Sequence, residues 1–114
     1  MARIEFLTGS EIKNFESVPE FKNSFERDYF FKLPKKIYDQ ALTLGNDELF
    51  CIFTLMYGYF KVRNKFFDFN GYNEDDIRHI CTKYQIEVSN SMVQPSIRTI
   101  QRYKQIIKFY FQIV

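Results

Sequence analysis

Residues 49–60 of this chain, LFCIFTLMYGYF, run for twelve positions without a charged side chain. On a helical wheel Leu49, Ile52, Phe53, Met56 and Phe60 take one side, and Phe50, Cys51, Leu55, Tyr57 and Tyr59 cover the remainder. A helix that is apolar all round must be covered all round, either by other helices or by lipid. Twelve residues make a helix of about 18 Å, short of the roughly 20 apolar residues a bilayer requires. The run therefore predicts a buried central helix over about residues 47–62, and the rest of the chain is expected to wrap it. Its flanks agree. Asn46 is placed to cap the start, with Asp47 and Glu48 in the first turn, while Lys61, Arg63 and Lys65 follow at the carboxyl end with Asn64 as a left-handed cap.

A chain of 114 residues supports one hydrophobic core and one domain. Fourteen Phe and eight Tyr with no Trp imply that this core is filled by rings. The first apolar run is only IEFL, preceded by Arg3 and interrupted by Glu5, which does not make a signal peptide. Cys51 falls in the central run and Cys81 on a later helix; with no Cys-rich spacing they read as buried thiols at separate places in a cytoplasmic protein.

In chain order, Thr8-Gly-Ser-Glu11 has the form of a capping box, and Ile12 and Phe15 follow, so a short helix is expected from about 9 to 17. Ser17 and Pro19 restart a helix whose Phe21, Phe25 and Tyr29, four apart, form a stripe expected to face the central helix and to end near Phe30. Pro34 opens the next helix in its first turn, with Ile37, Tyr38, Ala41 and Leu42 as its packed stripe and Gly45 as its stop. Asn70-Gly71 is a turn signal that would suit a hairpin, but nothing nearby alternates for long enough, and a loop is expected. Asn73 caps a helix running to about Gln85, with Ile77, Ile80, Cys81 and Tyr84 buried. A linker over residues 86–94 leads to the last helix, to whose cap Ser91 or Gln94 would contribute. The fold class is all-α, a bundle of five to six helices in a single domain.

The last helix, QPSIRTIQRYKQIIKFYFQIV, carries the most functional information. Residues 1–30 hold four bases and six acids, whereas residues 95–114 hold Arg98, Arg102, Lys104 and Lys108 and no acid. At 100° per residue, Arg98, Gln101, Arg102, Lys104, Gln105, Lys108 and Gln112 share an arc of about 160°, and Ile100, Tyr103, Ile106, Ile107, Tyr110, Phe111 and Val114 take the opposite side. A solvated helix face ordinarily mixes Glu with Lys, because opposite charges four apart stabilise it. A face of bases and amides alone suits an anion. In double-stranded DNA, Lys and Arg neutralise phosphates, and Arg and Gln match guanine and adenine edges in the major groove. Ser96 and Thr99, with the free N–H groups at the helix start, suit a phosphate. The plain alternative is a basic solvated face. Lys61, Arg63 and Lys65 form a second cluster that suits either the helix dipole or DNA, and Lys32, Lys35 and Lys36 a weaker third.

Other chemistries lack their residues. ALTLGND has the Ala-x3-Gly spacing of a helix-turn-helix, but its second helix would be the central run, which has no polar face to read bases. His79 is a lone surface or boundary histidine, Asp75 and Asp76 read as a helix-start charge pair, and there is no phosphate-binding glycine loop or nucleophile elbow. No catalytic residue, metal site, cofactor, small-molecule substrate or membrane span is expected.

Several stretches together resemble the N-terminal domain of the large replicative transposases of the Tn-three family. LTGSE resembles that family's Leu-Thr-x-x-Glu opening, and FKLPKKIYDQA its Phe-x-Leu-Ser-x-x-Asp-Leu segment. Asn64, Lys65 and Phe66 stand where a Gly-Arg-Phe follows an apolar helix. IRHICTKYQI resembles Val-x-Tyr-Ile-Ala-x-Gln-Leu-Gly-Val, and RTIQRYKQIIKFYF resembles Arg-Thr-Arg-x-x-His-x-x-x-Ile-x-x-Tyr-Leu-Gly-Phe, with Tyr103 in place of His and Ile100 in place of a base. The resemblance implies a non-catalytic DNA-binding module of a bacterial transposase that recognises terminal inverted repeats, the cutting residues lying far downstream. FYFQIV stops in mid-pattern, so the chain is expected to be a fragment whose partners are transposon ends and the remainder of a longer protein. On this reading Arg98, Gln101, Arg102 and Gln105 contact the groove, and Lys104, Lys108, Ser96 and Lys65 the phosphates. The alternative is a helical protein-interaction module that docks through exposed Phe111, Ile113 and Val114.

Overall fold

The structure, a computed structural model, describes residues 18–67, 69–88 and 95–113. Those residues contain five α-helices and no strand: α1 (Ser24–Phe31), α2 (Lys35–Leu42), α3 (Asp47–Arg63), α4 (Glu74–Tyr84) and α5 (Ile97–Ile113), with a 3-10 turn at Phe69–Gly71 between α3 and α4. The protein is an all-α bundle. The helix expected near residues 9–17 and the Ser91 or Gln94 cap lie outside the described residues.

α3 is the hub. Asn46 accepts a hydrogen bond from the Leu49 N–H at 2.8 Å, and Asn64 closes the other end in the left-handed conformation, φ 59°, its N–H donating to the Phe60 carbonyl at 2.7 Å. Every residue from 50 to 60 is buried, and α1, α2, α4 and α5 all pack against this helix. Its two sides serve two clusters. Ile52, Phe53 and Phe60 meet Ile37 and Ala41 of α2 and Tyr103 and Ile107 of α5, while Cys51, Leu55 and Tyr59 meet Phe31 of α1 and Ile80 of α4. Among the described residues no helix is long and apolar enough to cross a membrane.

Four sequence expectations are corrected. Asn23 caps α1 by accepting from the Glu26 N–H, so Phe21 precedes the helix; its ring does meet Tyr59 of the hub, at 6.4 Å between centroids, but Phe25 and Tyr29 are 85% and 63% exposed rather than turned to it. The inward face is instead Arg27 and Phe31, because Arg27 reaches Asp76 on α4 and the Phe31 ring fits over Gly58. Pro34 caps α2 rather than sitting within its first turn, and Leu42 is exposed. Asp76 does stand in the first turn of α4, and it is buried there, receiving Arg27 Nε at 2.8 Å and the Tyr59 hydroxyl at 2.5 Å. Cys51 and Cys81 are both free thiols, but only Cys51 is buried and Cys81 is half-buried.

Candidate nucleic-acid interface

α5 divides lengthwise as its periodicity requires. Tyr103 and Ile107 are buried on the hub, with Tyr103 edge-on to Phe53 at 5.4 Å between ring centroids, and Ile100, Ile106, Tyr110 and Phe111 pack beside them. Tyr103 is thus a core residue with no access to a groove. Arg98, Gln101, Arg102, Gln105, Lys108 and Gln112 are exposed, and Lys104 is half-buried.

The ion pairs of the described residues all lie away from this face. Arg27, Lys35, Arg78 and Lys83 each have a carboxylate partner, and His79 Nε2 meets Asp28 at 2.8 Å, where that hydrogen bond and the nearby Lys83 charge hold Asp28 below its ordinary value against the opposing effect of burial. Among the described residues no ion pair involves Arg98, Arg102, Lys104 or Lys108. Among the described residues, four cations thus share one helix without an ion-pair partner. Among the same residues no group of three or more His, Cys, Asp or Glu side chains is placed to hold a metal ion.

Two neighbours widen the face. On one flank the exit from α3 comes alongside: Lys104 Nζ lies 5.5 Å from the centre of the Phe66 ring, and Asn64 shares a crevice with Lys108 and Gln112. Lys65 stands between those two contacts in the chain, exposed, its ammonium 5.1 Å from the Phe67 ring. On the other flank Lys36 and Gln40 of α2 face Gln105, Ile106, Phe109 and Tyr110 across an apolar groove of about 460 Å³. Lys61 does not join the face. Its ammonium lies 4.3 Å over the Tyr29 ring, and burial lowers its pKa.

At the start of α5 the Ser96 hydroxyl is already committed. It accepts from the Thr99 N–H at 3.2 Å and donates to Thr99 Oγ1 at 3.1 Å, so it caps the helix itself, and a phosphate there would have to be met by backbone N–H groups of the first turn. Two further expectations are corrected at the other end. Phe111 is not a free docking residue, because its ring packs on Tyr57 and Phe60, each at 5.4 Å between centroids. Nor is the polar arc wholly Arg, Lys and Gln. Phe109 lies within it and is 63% exposed, since its eleven-residue separation from Arg98 is about three full turns. That separation is legible in the sequence; the approach of Lys36 and Gln40 is not, because it depends on how α2 packs.

The site thus belongs to the class of basic, amide-bearing helix faces on small helical domains. A scan of protein-family models, a search of curated proteins and a search of solved structures each find no match to this chain.

Proposed function

We propose that this chain is the DNA-binding module of a replicative transposase of the Tn-three type, non-catalytic by itself, which recognises the terminal inverted repeats of its element. The observation that carries the reading is the exposed, acid-free face of α5, where Arg98, Gln101, Arg102 and Gln105 stand in reach of a partner and neither arginine has an ion pair among the described residues. A major groove about 12 Å wide admits a helix of this kind. Arg98, Arg102, Gln101 and Gln105 meet base edges, Lys104, Lys108 and Lys65 meet phosphates, and Ser96 fixes the helix start that points its free N–H groups outward. The left-handed Asn64, in a conformation that glycine adopts most readily, agrees with the glycine of the resembling segment.

The test is a fluorescence-anisotropy titration with a labelled inverted-repeat end and a scrambled duplex at two salt concentrations. About four to six phosphate contacts give a log–log salt slope near −4 to −5, with tighter binding to the end. Charge reversal at Arg98 and Arg102 abolishes binding and leaves helix content unchanged. Equal affinity for both duplexes would reduce the face to nonspecific attraction, and no binding at low salt would reject the reading.

A second reading, a helical protein-interaction module, draws on the apolar groove between α2 and α5 and on exposed Phe109. It requires a salt-insensitive association that is lost on Phe109→Asp.

A further inference from the structure

Arg98, Arg102, Gln105 and Phe109 succeed one another at steps of four, three and four residues. Steps of this size keep them within an arc of about 60° along roughly 16 Å of helix, close to five base-pair rises. All four are exposed, so they form the crest of the face, with Lys104 and Lys108 on one slope and the groove toward Lys36 and Gln40 on the other. A phenylalanine 63% exposed on the crest of a cationic helix costs solvation and adds nothing to the core. Its place in line with two arginines and a glutamine gives it a use that they cannot serve. In the major groove guanine and adenine offer hydrogen-bonding edges, whereas thymine is set apart by an apolar group, its 5-methyl.

We propose that Phe109 is a base-reading residue that recognises thymine through its 5-methyl group, completing a crest in which Arg98 and Arg102 take guanine and Gln105 takes adenine. This inference rests on the duplex-binding reading above. Gln105, one turn back, fixes the register of the neighbouring base pair, and Ile106 and Tyr110 line the same apolar groove as Phe109. No proton or electron moves; the gain is the removal of one methyl group and one ring face from water.

The experiment uses the whole chain and a duplex enriched by it from a random pool, made with thymine and with uracil substituted one position at a time. Uracil pairs as thymine does and lacks only the methyl. At one or two positions the wild-type chain is expected to bind the thymine duplex about fourfold more tightly per contacted methyl. Phe109→Ala should bring that ratio to one while keeping the salt slope, and Phe109→Leu should keep part of it; circular dichroism of both variants checks that the helices persist. Duplex binding with no preference for thymine, or a preference that survives in Phe109→Ala, overturns the inference and leaves the DNA-binding reading standing. Absence of duplex binding by the wild-type chain at low salt overturns both.

Discussion

The Tyr59 hydroxyl of α3 donates to the carboxylate of Asp76 on α4 at 2.5 Å, and Arg27 of α1 closes on the same carboxylate at 2.8 Å. Three helices are thereby joined at one buried acid that is 1% exposed. Removing one partner of such a pair strands the other, which costs more than the pair itself contributes. Asp76→Ala is expected to destabilise the fold by about 3 kcal/mol, and Tyr59→Phe, which leaves the Arg27 contact in place, by about 1–2 kcal/mol. Urea unfolding of the two variants and their double checks this. If Asp76→Ala unfolds at the wild-type midpoint, the network does not hold these helices together.

The buried phenols give the stability a pH dependence with a definite sign. Burial, then neighbouring Tyr110, pushes Tyr57 up to about 12, and burial followed by the Asp76 charge raises Tyr59 as well. A phenol whose pKa is higher in the fold than in the open chain contributes stability that is complete below its ordinary value near 10 and is lost as pH rises through the folded value. The urea midpoint is expected to be level from about pH 7 to 8, to begin falling near pH 9, where the Cys51 thiol raised by burial first contributes, and to fall more steeply between about pH 10 and 12. Tyr57→Phe should make that fall shallower. A midpoint that stays level to pH 11.5 would contradict the burial of both rings.

Gly58 lies where α1 crosses the hub. A Cβ there would enter the ring of Phe31, itself fully buried, and would stand 3.2 Å from the Phe30 carbonyl oxygen. Overfilling a packed site of this kind costs about 1–3 kcal/mol, so Gly58→Ala should lower the urea midpoint despite its better helix propensity. Phe31→Leu in the same background should recover part of the loss. A Gly58→Ala protein more stable than wild type would show that α1 does not sit this close.

Much of this was legible because it is local. The caps at Asn46, Asn64 and Asn73 are set by residues within four positions, and the hub by a run with no polar side. The orientation of α1 was not. Its sequence offers aromatics on both faces, and what selects Phe31 over Phe25 is a pairing of Arg27 with Asp76, 49 residues away, and a gap over Gly58. The candidate site divides in the same way. Arg98, Gln101, Arg102 and Gln105 follow from periodicity, and so does Phe109 once the wheel is filled by position rather than by residue type. Lys36, Gln40 and the α3 exit join the face only through packing.

Phe111 and the Arg98–Arg102 pair separate the two roles of α5. Phe111 stacks on Tyr57 and Phe60, so Phe111→Asp places a carboxylate among rings and is expected to cost about 3 kcal/mol or more. For a domain of this size that is a fall in Tm of roughly 10–20 °C. Arg98→Glu with Arg102→Glu alters exposed side chains that have no ion pair among the described residues, so Tm should move by only a few degrees while duplex binding is lost. Thermal scans and anisotropy on both proteins read the two effects independently. If Phe111→Asp keeps the wild-type Tm, that ring is a surface docking residue after all; if the double arginine variant unfolds, those guanidinium groups hold the bundle rather than a ligand.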